Sequence, residues 1–224
     1  MRLADYCSAE EWKRIKDFAD TKETPFLVVD LEIIKQKYEE LTTCFPMAKV
    51  HYALKANPGK PVIELLRDLG SNFDIASIYE LDKVLATGVD ADRISYGNTI
   101  KKAAHIKYAF DKGVRLYATD SKADLQSIAE NAPGSKIFVR ILVEGGETAE
   151  WPLSRKFGCH PDMAIDLLVQ AKQLGLIPYG ISFHVGSQQK DIAVWDAALS
   201  KVKYMFDWMR LEEGVMLKMI NMGG

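Results

Sequence analysis

Residues 50–57 read VHYALKAN, an apolar run of Val50, Tyr52, Ala53 and Leu54 that ends on a lysine, Lys55. Valine and tyrosine suit a pleated, half-buried strand. An ammonium buried without a partner costs far more than its methylenes gain, so the amine of Lys55 must reach water or be used. A helix pattern follows: across residues 61–69, Val62, Leu65, Leu66 and Leu69 recur at i, i+3, i+4 and i+7. The opening unit is therefore a strand, a lysine at its end, and a helix.

The same couplet repeats. Strand-length runs stand at NFDIAS (72–77), RISYGN (93–98), RLYATD (115–120), KIFVRIL (136–142), PYGISFHV (178–185) and LKMINMGG (217–224), each parted from the next by a helical pattern or by a loop and a helix. With the opening run there are seven. Repeated βα units with short connections predict parallel strands. Seven of them without a long polar linker favour an α/β fold of the closed (β/α)8 TIM-like kind over an open doubly wound sheet, which stays the alternative. Residues 1–29, with the apolar run PFLVVD (25–30), precede the first unit and read as a piece of something else.

Composition bounds the class. With 224 residues, 48% apolar content and a formal net charge of -2, the chain can bury a substantial core and lacks the basic excess of a dedicated nucleic-acid binder. No run approaches the roughly 18 apolar residues of a membrane span. The N-terminus, with Asp5, Glu10, Glu11, Lys13 and Arg14, has no apolar signal-peptide core. A cytoplasmic protein without a membrane partner is expected. Cys7, Cys44 and Cys159 are scattered, with no C-x-x-C and no histidine at ligand spacing, so neither disulfides nor a metal site is expected.

In such a barrel the chemistry gathers at the C-terminal ends of the strands. Those ends carry Lys55, Asp74 with Ser77, Asn98, Asp120, Arg140, His184 with Ser187, and Gly223 with Gly224. Asp120 and Ser77 read as helix N-caps and Asn98 as a turn residue. A lone lysine at a strand end usually snorkels, and a lone histidine in a strand is more often a satisfied core imidazole. Lys55 and His184 are set apart because a barrel points both toward one mouth. A lysine amine in a partly desolvated pocket condenses with aldehydes, and glycines after the seventh strand sit where barrels hold phosphate through backbone N–H groups. Pyridoxal phosphate joins these needs: an aldehyde, a phosphate and a flat ring on which an imidazole can stack.

YALKANP around Lys55, NFDIAS around Asp74, SRKFG (154–158), GISFHVGSQ around His184 and the closing NMGG together resemble the barrel domain of the fold-type III pyridoxal-phosphate decarboxylases, alanine-racemase-like in fold. Within that group the chain is most similar to bacterial ornithine/lysine decarboxylases, and the resemblance runs through essentially its whole length. It implies that Lys55 holds the cofactor and carries protons, and that His184 stacks on the pyridine ring. By the same resemblance Asp74 and Arg140 lie near the cofactor's imine and 3′-oxygen side. Ser187 contacts the phosphate, and Gly223 and Gly224 begin a phosphate-binding glycine run. The implied reaction is decarboxylation of a basic amino acid, ornithine first and lysine second, in polyamine biosynthesis by a homodimer.

Family members also have an eighth strand, whose glutamate holds the pyridine nitrogen. A β-domain follows, supplying a cysteine–aspartate pair and a tyrosine across the dimer interface. Neither has a counterpart here. The 224 residues are therefore expected to be a fragment, with 1–29 a segment that packs on the absent β-domain and 30–224 an incomplete barrel, inactive by itself. Two readings of other classes stand beside this one. A non-catalytic pyridoxal-phosphate-binding barrel would still need its eighth strand. A cofactor-free regulatory homologue would have no use for Lys55, Asp74 and His184. Alanine-racemase-like and diaminopimelate-decarboxylase-like enzymes share the lysine motif, but FDIAS, SFHVGSQ and SRKFG resemble the ornithine group.

Overall fold

The structure, a computed structural model, describes residues 7–143, 149–151 and 156–223. The chain divides into two compact units, one up to Pro46 and one from Met47 onward. In the first, Ser8 opens α1 (Ala9–Ala19) with a capping box, its hydroxyl accepting from the Glu11 N–H while the Glu11 carboxylate accepts from the Ser8 N–H. Asp30 caps α2 (Leu31–Cys44) through the Glu32 N–H and pairs with Arg14. PFLVVD (25–30) forms no strand and leads directly into that cap.

The second unit alternates strand and helix. In order it contains β1 (His51–Ala53), α3 (Lys60–Asp68), β2 (Asn72–Ile75), α4 (Ile78–Leu85), β3 (Ile94–Tyr96), α5 (Ala103–Asp111) and β4 (Leu116–Thr119). Then come α6 (Lys122–Asn131), β5 (Lys136–Arg140), β6 (Ala149–Trp151), α7 (Pro161–Gln173), β7 (Ile177–Ser182), β8 (Ser187–Gln189), α8 (Ala193–Glu212) and β9 (Met219–Asn221). Seven strands form one sheet in the order β1-β2-β3-β4-β5-β7-β9. Every neighbouring pair is parallel. All seven expected strands are present. Their spatial order follows chain order without the reversal that defines a doubly wound sheet, so the barrel reading holds and the open-sheet alternative falls. The sheet is a partial (β/α)8 barrel with β1 and β9 at its edges.

Packing explains why the strands are near-continuous apolar runs. A parallel sheet is covered on both faces, and β3 is buried at all three positions while β5 buries Ile137, Phe138 and Val139. Phe73, Ile75, Tyr96, Tyr117, Phe138 and Ile181 are each at most 2% exposed. Such burial is worth about 1.5–3 kcal/mol for each large apolar side chain. The face of α3 differs from the expected one: Val62, Ile63 and Leu66 are buried, whereas Leu65 and Leu69 are only half-buried. The buried stripe of α3 therefore runs through Ile63 and not through Leu65 and Leu69.

Local signals hold at two turns and fail at a third. Ser77 caps α4 by accepting from the Glu80 N–H, and Asn98 makes a turn through the Ile100 N–H. Asp120 caps nothing. Ser121 is the N-cap of α6, accepting from the Asp124 N–H, while the Asp120 carboxylate accepts from the Gly158 N–H at 2.8 Å. A serine one position closer to the helix takes the cap and frees the aspartate for a partner 38 residues away. An antiparallel ribbon of β6 and β8 pairs Trp151 with Ser187 and was not legible, because neither strand is long enough to show a period.

Candidate cofactor site at the barrel mouth

Register sets two groups of strand neighbours. Ala53 of β1 lies beside Asp74 of β2, which lies beside Ser95 of β3; across the sheet, Arg140 of β5 lies beside Ser182 of β7 and Ser182 beside Asn221 of β9. Side chains alternate along a strand, so His51 and Ala53 share one face of the sheet, as do Asn72 and Asp74. Lys55 follows β1 and is exposed, its amine accessible.

Four groups act on one another there. Burial pushes the half-buried Asp74 carboxyl up to about 6, opposed by a hydrogen bond from Ser95 and by the charges of Lys55 and Arg140, while Glu80 adds to the rise. Burial also pushes the His184 imidazole down, and the positive charges of Arg140 and Lys55 push it further, so the ring is neutral at neutral pH. Lys55, Asp74, Arg140 and His184 come from four different strand ends and meet at one mouth. His184 Nδ1 is buried without a hydrogen-bond partner among the described residues.

The remaining predicted residues take their places around this group. Gly223, at φ +75°, packs so closely on the segment that follows β7 that a Cβ would lie 2.7 Å from the Phe183 carbonyl oxygen and 3.1 Å from His184 Cα. Only glycine combines that backbone conformation with that approach. Its N–H donates to Asn221 Oδ1 at 2.9 Å. Ser187 opens β8, half-buried, three residues beyond His184. Gly224 lies outside the described residues, as do Ser154 and Arg155 of SRKFG. The rest of that motif docks on β5. Cys159 N–H donates to the Arg140 carbonyl and Leu142 N–H to the Cys159 carbonyl, each at 2.9 Å, and the Arg140 guanidinium lies 5.4 Å from the Phe157 ring centroid. Gly158, at φ +99°, makes this docking possible, since a Cβ there would sit 2.9 Å from the Ile141 carbonyl carbon.

Three residues of the site were missed. Ser95 donates to Asp74 Oδ1 at 2.6 Å and His51 Nδ1 lies 3.3 Å from Ser95 Oγ. Gly97 has no side chain where one would collide with the Asp74 carboxylate, both oxygens lying 2.3 Å from an ideal Cβ. The glycine inside RISYGN was a usable signal, because glycine in a strand often marks a close approach. Among the described residues no three histidine, cysteine or acidic side chains are grouped to hold a metal. None of their helices is long and apolar enough to cross a membrane.

The arrangement fits pyridoxal phosphate. An aldehyde needs an accessible amine, which Lys55 offers. A phosphate-bearing ligand needs a positive field, which Lys55 and Arg140 supply. A flat ring needs a flat neutral face, which His184 supplies, and its buried Nδ1 is a polar atom left without a partner among the described residues.

The profile of the pyridoxal-dependent decarboxylase family, pyridoxal binding domain, matches residues 31–224. A lysine/ornithine decarboxylase of Selenomonas ruminantium is 37% identical over 212 residues, which are 95% of this chain and 53% of that relative. An SrLDC mutant solved in complex with PLP superposes with a TM-score of 0.87 at 36% identity, covering 98% of this chain and 55% of that one. Antizyme inhibitor 2 of Xenopus laevis is 33% identical over 199 residues, 89% of this chain and 43% of its own length. The chain thus spans about half the length of the curated relatives it matches. With that match running through every strand of the sheet and over the mouth just described, the chain belongs to the pyridoxal-dependent decarboxylases, as their pyridoxal binding domain, with pyridoxal phosphate as its cofactor.

Proposed function

We propose that this domain serves, in the whole protein, the decarboxylation of a basic amino acid, with ornithine the first substrate and lysine the second, in polyamine biosynthesis. What carries the reading is the meeting of Lys55 and Arg140 with Asp74 and His184 at one mouth. The lysine/ornithine decarboxylase relative supports the substrate class. Bound pyridoxal phosphate supplies the electron sink that accepts the electrons left by a departing carboxylate.

The chain's own residues do the rest. Lys55 Nζ is the covalent holder and a proton carrier, as an exposed amine among polar partners can be. His184 stays neutral and offers its ring face. Asp74 is ionised above about pH 6 and sets a negative charge against the cationic groups around it. Arg140 keeps its charge at any working pH and holds anionic groups in the mouth. Ser187 and the glycine run that Gly223 and Gly224 begin are assigned to the phosphate on the family resemblance. A homodimer is proposed on the family resemblance, with the substrate side chain read by parts outside these residues. Relation to antizyme inhibitor 2 favours a second reading, a binding protein without turnover.

The test uses the whole protein. Addition of the cofactor should give a bound-cofactor absorbance that Lys55→Ala abolishes, with CO2 release from ornithine falling by at least about 100-fold. Undiminished release in Lys55→Ala would sink the proposal. Cofactor binding by the parent without CO2 release from ornithine or lysine would install the non-catalytic reading in its place.

A further inference from the structure

His51, Asp74 and Ser95 lie on three adjacent parallel strands, β1, β2 and β3. Their side chains are linked. The Ser95 hydroxyl lies 2.6 Å from Asp74 Oδ1, 3.3 Å from His51 Nδ1 and 3.4 Å from the Phe73 carbonyl oxygen. A hydroxyl has one proton to give and lone pairs to receive another. The short contact to the carboxylate takes that proton, so the lone pairs of Ser95 Oγ face His51 and the imidazole must be the donor.

We infer that His51 and Ser95 are positioning residues for Asp74: His51 Nδ1–H donates to Ser95 Oγ, whose own proton is donated to Asp74 Oδ1, fixing the carboxylate that faces Lys55 and Arg140. The trio is not a nucleophilic triad. Its serine is 2% exposed and gives its proton to the aspartate and not to the histidine, so it has neither access to a substrate nor a base. Gly97 completes the device from the other side, leaving open the space that the carboxylate occupies beside Ser95. His51 is held neutral by burial and by Lys49, while Asp74 is faced by Lys55, Glu80 and Arg140. The relay thus feeds an oriented hydrogen bond, and not a second charge, to the carboxylate.

The inference rests on the reading of this mouth as the cofactor site, and its test is separable from that reading. The readout is the carboxyl 13C titration of Asp74 and the 15N shifts of His51 by NMR in the whole protein without cofactor, together with the pH profile of pyridoxal phosphate affinity. Above the Asp74 titration, His51 should show the Nδ1–H tautomer. Ser95→Ala should move the Asp74 titration upward by about one pH unit or more, since a hydrogen bond to a charged acceptor is lost. The affinity profile should move with it. His51→Phe should give a smaller shift of the same sign. Ser95→Thr, which keeps the hydroxyl, should restore the parent value. An Nε2–H tautomer at His51, or an Asp74 titration unmoved by Ser95→Ala, would overturn the relay. If the relay stands and the parent releases no CO2 from any basic amino acid, only the proposed activity falls.

Discussion

Replacing Gly97 by alanine sets two opposed effects against each other. Gly97 has an ordinary negative φ, so alanine reduces the freedom of the unfolded chain and by itself stabilises by about 0.4–1 kcal/mol. The new Cβ, however, stands 2.3 Å from both Asp74 oxygens, and ordinary contact begins near 3.4 Å, so the carboxylate must retreat by 3.4 − 2.3 = 1.1 Å. A retreat of that size breaks the 2.6 Å bond from Ser95. Losing a hydrogen bond to a charged group costs roughly 1.5–3 kcal/mol, and crowding a packed site adds about 1–3 kcal/mol. The clash wins. Gly97→Ala should therefore destabilise by about 1.5–5.5 kcal/mol, read from denaturant midpoints at pH 7.5, and should weaken pyridoxal phosphate binding by absorbance titration. In an Asp74→Ala background the same change should be neutral or slightly stabilising, because the colliding oxygens are gone. Equal destabilisation in both backgrounds would refute the assignment of Gly97 as clearance for the carboxylate.

Asp74 also predicts two opposite pH dependences. Its folded value near 6 lies above the unfolded range, so the folded state binds more protons and stability falls as pH rises from about 4 to 6, by roughly 2–4 kcal/mol. That slope should vanish from denaturant midpoints in Asp74→Asn, whereas cofactor affinity, which uses the ionised form, should rise in the parent over the window centred near pH 6. A second test concerns Lys101, whose fully buried ammonium donates to the carbonyls of Asn98 at 2.9 Å and Ala118 at 2.7 Å and to Asp124 at 2.8 Å. Lys101→Met should cost about 3–5 kcal/mol of stability by stranding a buried carboxylate, and Lys101→Met with Asp124→Leu should recover most of it, both by denaturant unfolding.

Much of this architecture could be read directly from the residues. Apolar runs of strand length parted by helix-period stretches located all seven strands of the sheet, because burial on two faces leaves a local record in composition. Ser77 and Asn98 were legible for the same reason, each bonding to an N–H within three residues. Lys55, Asp74, Arg140 and His184 were singled out because polar residues closing apolar runs mark strand ends, and the resemblance to a known family implied their roles.

What needed the tertiary structure is set by register between strands. Asp120 meets Gly158 across 38 residues, Ser95 meets Asp74 across 21, and His51 meets Ser95 across 44. No periodicity in the chain records which residue of one strand faces which of another. Gly97 was informative only once the Asp74 carboxylate was seen above it, and Lys101, an ordinary charged residue in sequence, proved to be a buried clamp. Strand pairing is a long-range choice made by the packing of the sheet between its helices and its core. Apolar runs and helix periods record where the seven strands of the sheet lie; register between strands decides which side chains meet.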